Sequence, residues 1–101
     1  MNLKQTIMKK QKFLQAQKNL FIDYAEKKID AQSLVDALIS NEAQLSNIDG
    51  VPMYRFGNDM PLLYTSNEIK TDLLRGPNNN RRLLIDVIEI AVNNNQINIY
   101  I

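Results

Sequence analysis

The first 28 residues constrain the fold most, because they predict one long amphipathic helix. No glycine or proline occurs between Leu3 and Lys28, so nothing in this stretch breaks a helix. Apolar side chains recur there at helical spacing, and they are Leu3, Ile7, Phe13, Leu14, Leu20, Phe21 and Tyr24. Most lysines of the segment fall outside this stripe. The spacing therefore predicts a helix over residues 3–28 with one apolar side.

A second helix is predicted directly after the first. Asp30 is a favourable N-cap residue, and apolar residues then repeat every three to four positions until Leu45. Ser46, Asn47 and Gly50 end the pattern. Because the connection between the two helices is short, we expect them to form a hairpin or a bent pair.

The middle of the chain predicts a β-hairpin. Two short apolar and aromatic segments, residues 51–56 and 60–65, flank Gly57, Asn58 and Asp59, which tolerate the positive φ of a tight turn. Pro52 and Pro61 lack a backbone donor, so the strands are expected at a sheet edge or starting at those prolines.

Two further helices and a strand are predicted in the last third. Thr65 and Glu68 have the spacing of a capping box, and Gly76 with Pro77 stops the helix they begin. Asn80 is the expected cap of a fourth helix that is apolar on nearly all sides, so burial on both sides is expected. The final segment alternates Ile97, Ile99 and Ile101 with other residues, as in a strand. The two intervening helices would let this strand run parallel to a hairpin strand.

These elements predict one domain over residues 1–101 of the α+β class, in the order α-α-β-β-α-α-β. Its small sheet consists of the hairpin and the C-terminal strand, packed by helices. A chain of 101 residues buries one core. No apolar run reaches the roughly 18 to 20 residues of a membrane span, and the N-terminus lacks the pattern of a signal peptide. We therefore expect a cytoplasmic protein without a membrane partner.

The absence of cysteine and histidine excludes most small-enzyme chemistry. Without Cys there is no disulfide, thiolate nucleophile or thiolate zinc site, and without His there is no imidazole base or ligand. The remaining candidate pair is Asp86 and Glu89, three apart on the fourth helix, which suits a buried acid–base pair, part of a site for a hard divalent ion, or a solvent-facing strip. We expect the strip, and hence no enzyme, no metal and no cofactor.

The charge is unevenly distributed along the chain. Residues 1–28 hold seven lysines and two acids, a net charge of +5, whereas residues 29–101 hold five basic residues and nine acids, a net charge of −4. This contrast is consistent with a solvated helix face, with pairing between the first helix and the acidic remainder of the same or another copy, or with DNA binding. In the DNA-binding alternative, the protein would be an accessory protein of a plasmid or phage. Basic side chains of the first helix, or of the hairpin acting as a wing, would contact the phosphates of the DNA backbone. The residues for this anion or nucleic-acid role are Lys9, Lys12, Arg55, Arg75, Arg81 and Arg82.

The leading hypothesis is a non-catalytic interaction or regulatory module that acts through a protein partner or through self-association, as a homodimer for example. It depends on the lack of reactive residues and on an apolar stripe longer than a small domain easily covers. Aromatic and apolar side chains of the hairpin and the first helix are the expected contact residues, with ordinary core packing as the alternative. They are Tyr54, Phe56, Tyr64, Phe13 and Leu20.

Residues 34–101 also resemble a known family. Val51-Pro52, the turn at 57–59, the segment 60–66 (MPLLYTS) and the Ile-rich end of the chain follow the order of motifs in that family. On these residues the chain resembles the N-terminal domain of SseB-like proteins, named for enhanced serine sensitivity. The resemblance implies a small mixed α/β interaction or regulatory module without catalytic residues to transfer.

Overall fold

The computed structural model describes the backbone of residues 3–101 and the side chains of residues 9–46 and 48–101. Leu3 and Ile7 of the predicted apolar stripe therefore have side chains outside the described part. Residues 3–101 form four helices, one short 3-10 turn at Asn47–Asp49 and two strands. Their bounds are α1 Leu3–Ala25, α2 Ala31–Glu42, β1 Met53–Phe56, α3 Ser66–Lys70 with a π-helical turn Thr71–Arg75, α4 Asn78–Asn93 and β2 Ile97–Tyr100. The α+β class is confirmed.

The predicted pair of N-terminal helices is confirmed, with a shorter first helix. α1 ends at Ala25, and the chain reverses at Lys27, whose φ is +64°. The carbonyl of Asp23 accepts the Lys28 N–H at 2.8 Å and closes this turn. Asp30 then caps α2 as predicted, because its Oδ1 accepts the backbone N–H of Ser33 at 2.8 Å.

The sheet differs from the predicted hairpin. β1 pairs with β2, and residues 60–65 contribute a single bridge in which Tyr54 and Tyr64 exchange two backbone hydrogen bonds of 2.8 Å. In this register the next hydrogen-bonded pair toward the turn would be Phe56 with Leu62, and these two residues share no backbone hydrogen bond. The expected parallel orientation of the last strand is also wrong, since β2 runs antiparallel to β1 with Phe56 opposite Ile97. A tight turn after α4, with Asn95 at φ +55°, sends β2 back along β1.

The third and fourth helices form close to their predicted positions. The capping box is present: the Glu68 N–H donates to the Thr65 Oγ1, and the Glu68 carboxylate accepts the Thr65 N–H. Asn80 is not the cap of α4, which begins two residues earlier, after Pro77. The carbonyl of Pro77 accepts the Arg81 N–H and starts the helix there.

α4 is buried on one side only, which contradicts the expectation of burial on both. Leu84, Ile88 and Ala91 are at most 1% exposed, whereas Leu83 and Ile90 are 55% and 59% exposed. α4 packs on α1, on the π-helical turn and on the sheet. Among the described residues, no element covers the opposite side of α4, which therefore faces solvent. We call it the outer side of α4 and define it by Leu83, Asp86, Glu89 and Ile90.

The core is centred on Phe21 of α1. Its ring meets Tyr54 and Phe56 edge-to-face, with centroid separations of 5.5 and 5.1 Å. Helices α1, α2 and α4 thus enclose one face of the sheet, and the core is completed by Leu34, Val35, Leu38, Tyr64, Ile69, Leu73, Leu84, Ile88, Ala91 and Ile97. In the described part of the chain, no helix has the length and apolar character needed to cross a bilayer. The cytoplasmic location stays a prediction.

Candidate functional site

The three aromatic residues expected to form a contact surface lie in the core. Tyr54 and Phe56 are 0% and 1% exposed, and Tyr64 is 9% exposed. The side chains of Tyr54 and Phe56 share one face of β1 because strand residues alternate, and that face is covered by α1. The expectation that these aromatics contact a partner is therefore wrong, and the alternative of core packing holds for them.

A groove between α1 and the C-terminal end of α2 brings together three other predicted residues. Its volume is about 270 Å³. From α1 it receives Lys9, Lys12, Phe13 and Ala16, whose spacing places them on one side of the helix. We call this feature the α1–α2 groove, and its other wall consists of Asn41, Gln44 and Leu45. Leu20, the remaining predicted contact residue, packs half-buried against the core instead.

The α1–α2 groove combines an apolar floor with a cationic rim. Phe13 is 8% exposed and Leu45 is half-buried, while Lys9 and Lys12 are exposed. No acid lines the groove, and neither lysine has a carboxylate within 4 Å among the described residues. Residues 1–8 contain no acid that would pair with them. Among the described residues, neither ammonium group is therefore in direct contact with a carboxylate, and both lie beside apolar surface.

Lys10, next to Lys9 in the chain, does have a carboxylate partner. Lys10 Nζ lies 3.9 Å from Asp49 Oδ1. The pKa of Asp49 is held below its usual value mainly by the backbone N–H of Ser46 and also by the Ser46 hydroxyl, with smaller contributions from the charges of Lys10 and Lys9. Asp49 thus lies within 4 Å of Lys10, whereas among the described residues Lys9 and Lys12 have no carboxylate within that distance.

A buried polar cluster beside the groove holds its walls together. Gln17, which is fully buried, donates from Nε2 to the Leu38 carbonyl at 3.2 Å and to the Tyr54 hydroxyl at 2.9 Å. Its Oε1 accepts the Asn41 amide at 2.8 Å. The buried amide therefore has partners for both its donor and its acceptor, and it fixes α1 to α2.

The cluster continues through Glu42 to α3. The Tyr54 hydroxyl donates to Glu42 Oε2 at 2.6 Å, and the Ser66 hydroxyl donates to Glu42 Oε1 at 2.8 Å. Burial raises the pKa of Tyr54, and the hydrogen bond to Glu42 raises it further, so the phenol stays protonated and keeps donating. No local pattern in the sequence indicates that Glu42 and Ser66 belong to this cluster. Gln17 does carry a signal, since it lies midway between Phe13 and Phe21 on the apolar side of α1.

The four predicted arginines do not join the lysines of the groove. Arg55 lies on the outer face of β1 with its guanidinium 5.6 Å from the centre of the Tyr100 ring, and its buried Nε has no hydrogen-bond partner. Arg75 ends the π-helical turn, and Arg81 and Arg82 are exposed in the first turns of α4. The predicted cationic residues are therefore distributed over several elements, and Lys9 and Lys12 are the pair that lines the α1–α2 groove.

The two carboxylates of α4 are on the surface. Asp86 is exposed and Glu89 is half-buried, where it lines a shallow pocket with Tyr24, Lys27 and Lys28. Within the described residues, no group of three or more acidic side chains is arranged to hold a metal ion. The expected solvent-facing strip agrees with these positions.

No protein family, no curated protein and no solved structure shows significant similarity to this chain. The resemblance of residues 34–101 to the SseB-like domain therefore stays a prediction. The candidate site is therefore characterised by the α1–α2 groove alone, with its apolar floor and the two lysines that have no carboxylate within 4 Å among the described residues.

Proposed function

We propose that this chain is a non-catalytic binding module that acts through a protein partner or a second copy of itself, with the α1–α2 groove as its contact site. The observation that carries the proposal is the combination of Phe13 and Leu45 with the exposed Lys9 and Lys12 in one concave site. Protein recognition commonly places an apolar anchor in a pocket whose rim is polar.

The rigidity of the groove supports a binding role. Gln17 links α1 to the carbonyl of Leu38 and to the amide of Asn41, 21 and 24 residues away in the chain. Because these bonds fix the separation of the two walls, little ordering is needed when a ligand enters. A preformed groove loses less conformational entropy on binding than a mobile surface does.

Selection of random peptides displayed on phage tests the proposal without assuming a partner. The native chain and an Ala16→Gln variant are used as targets, since Ala16 is exposed in the groove and a longer side chain there obstructs it. We expect peptides that bind the native chain and are lost on the variant. Ala43→Gln is the matched control, because Ala43 is exposed outside the groove lining.

The proposal fails if no peptide is enriched on the native chain, or if the enriched peptides bind the Ala16→Gln and Ala43→Gln variants equally well. Duplex DNA is assayed in parallel at two salt concentrations. Binding that weakens steeply with salt and is lost when Lys9 and Lys12 are neutralised would favour the DNA alternative instead.

A further inference from the structure

We infer that the α1–α2 groove of one copy of this chain receives the outer side of α4 of a second copy. The inference rests on the proposed function and names the partner. It connects two features of the described residues. One is a groove whose lysines have no carboxylate within 4 Å, and the other is an exposed helix side that is both apolar and acidic.

The charges of the two surfaces are complementary. Lys9 and Lys12 are three residues apart on α1, and Asp86 and Glu89 are three residues apart on α4. Residues at this spacing lie about 5–6 Å apart on one side of a helix, so two lysines and two carboxylates match in separation as well as in sign. Among the described residues, neither Asp86 nor Glu89 has a lysine or arginine nitrogen within 4 Å.

The apolar parts are complementary too. Ile90, 59% exposed, is adjacent to Glu89 and one turn after Asp86. The groove offers Phe13, Ala16 and Leu45 as apolar lining, in a volume that suits one large side chain. Ile90 is therefore the expected anchor residue, and Asp86 and Glu89 are the acids that flank it.

The rest of the molecule directs the contact to the C-terminal half of α4. Arg81 and Arg82 lie in its first turns and would repel the groove lysines, so the docked part begins after them. Glu89 also lines a pocket with Lys27 and Lys28 of its own chain, which partly offsets its charge, whereas Asp86 is exposed. Because groove and helix side are different surfaces, the contact is heterologous and forms rings or chains unless both copies dock reciprocally.

Charge reversal on each surface tests the inference. One variant carries Lys9→Glu and Lys12→Glu, and the other carries Asp86→Lys and Glu89→Lys. We expect the native chain to self-associate in sedimentation velocity at high micromolar concentration, and each variant alone to bind itself at least about tenfold more weakly, since two attractions become repulsions. Mixing the two variants restores opposite charges across every contact, so the mixture is expected to associate like the native chain.

Two controls separate this contact from general effects of charge or folding. Lys18→Glu with Lys70→Glu makes the same charge change at two lysines that line neither the groove nor the pocket around Glu89, and it is expected to leave self-association unchanged. Ile90→Ser removes the apolar anchor without changing charge and is expected to weaken it. Circular dichroism verifies that each variant is folded.

A native chain that stays monomeric at high micromolar concentration would overturn the inference. So would charge-reversed variants that still associate, or a mixture that does not recover association although both variants are folded. In each case the peptide selection decides separately whether the groove binds other proteins, so the proposed function stands or fails independently.

Discussion

The inner and outer sides of α4 and of the sheet are built from similar residues but differ completely in burial. On α4, Leu84 and Ile88 are buried, whereas Leu83 and Ile90 are more than half exposed. Leu83 and Leu84 are adjacent in the chain, so composition and local hydropathy do not separate them. The difference shows that burial in this protein is assigned by neighbouring elements, because α1 and the sheet cover one side of α4 and no described element covers the other.

The two strands show the same contrast with tyrosines. Tyr54 on the inner face of the sheet is fully buried, and its hydroxyl is hydrogen-bonded to Gln17 and Glu42. Tyr100 on the outer face is 45% exposed and lies beside the Arg55 guanidinium. The inner tyrosine therefore holds several elements together, whereas the outer one supports a single surface contact.

Truncation of the two isoleucines of α4 is the most severe test of this comparison. Ile88→Ala leaves a cavity in the core, and we expect a loss of about 2–5 kcal/mol in the free energy of unfolding. Ile90→Ala is expected to change it by less than about 0.5 kcal/mol. Urea denaturation at low protein concentration measures both. Equal losses would show that the outer side of α4 is covered in the folded molecule.

Removing the hydroxyl of each tyrosine sharpens the comparison at the sheet. Tyr54→Phe leaves Gln17 and Glu42 without their shared partner, so we expect a loss of about 1–3 kcal/mol in the free energy of unfolding. Tyr100→Phe keeps the ring beside Arg55 and is expected to be nearly neutral. If Tyr54→Phe were as mild as Tyr100→Phe, the buried polar cluster would contribute little to stability.

Substitution of Thr65, the N-cap of α3, tests how strongly the buried polar cluster depends on the start of that helix. Thr65 starts the helix whose first residue, Ser66, donates to Glu42. Thr65→Ala removes the cap and is expected to lower the free energy of unfolding by about 1 kcal/mol, whereas Thr65→Ser keeps the hydroxyl and most of the stability. Thermal unfolding of the three proteins measures this, and equal melting temperatures would contradict it.

The smallest expected effect comes from Asp30 and Asp49, whose carboxylates accept backbone N–H groups at helix starts, and it is seen only at low pH. The Ser33 and Ser46 backbone N–H groups lower the pKa of Asp30 and of Asp49, respectively, below the ordinary value of 3.8. The stability they contribute is complete above that value and is lost as the pH falls through the lowered pKa of each folded-state group. Asp30→Asn with Asp49→Asn is therefore expected to lose less stability than the native chain on acidification from neutral pH, as measured by urea denaturation. A parallel loss in both proteins would contradict this.

Local signals in the sequence predicted most of the helices. The absence of glycine and proline before Lys28, the Asp30 cap and the Thr65–Glu68 capping box each act within a few residues of the element they define. The strand pairing was not predictable in this way. The partner of β1 is β2, about 40 residues further along the chain, and the turn residues at 57–59 indicate a hairpin without fixing how many residues pair.

The candidate site was predictable only in part, for the same reason. Lys9, Lys12 and Phe13 were identified from the pattern of one helix, but their common groove requires Asn41, Gln44 and Leu45 from the opposite wall. The hairpin aromatics were assigned to a surface because their residue types suit recognition, and the structure buries them. Glu42 and Ser66 meet through tertiary contact alone.

By itself, the sequence determined most of the helices, the caps at Asp30 and Thr65, the charge contrast between the first 28 residues and the remainder, and the absence of cysteine and histidine side chains. Hydrogen bonds and periodic burial over a few residues are enough to fix such features. The tertiary structure decided which side of α4 is buried, which strand pairs with β1 and which lysines border a groove. These depend on contacts between residues distant in the chain, and those contacts form only when the whole domain packs.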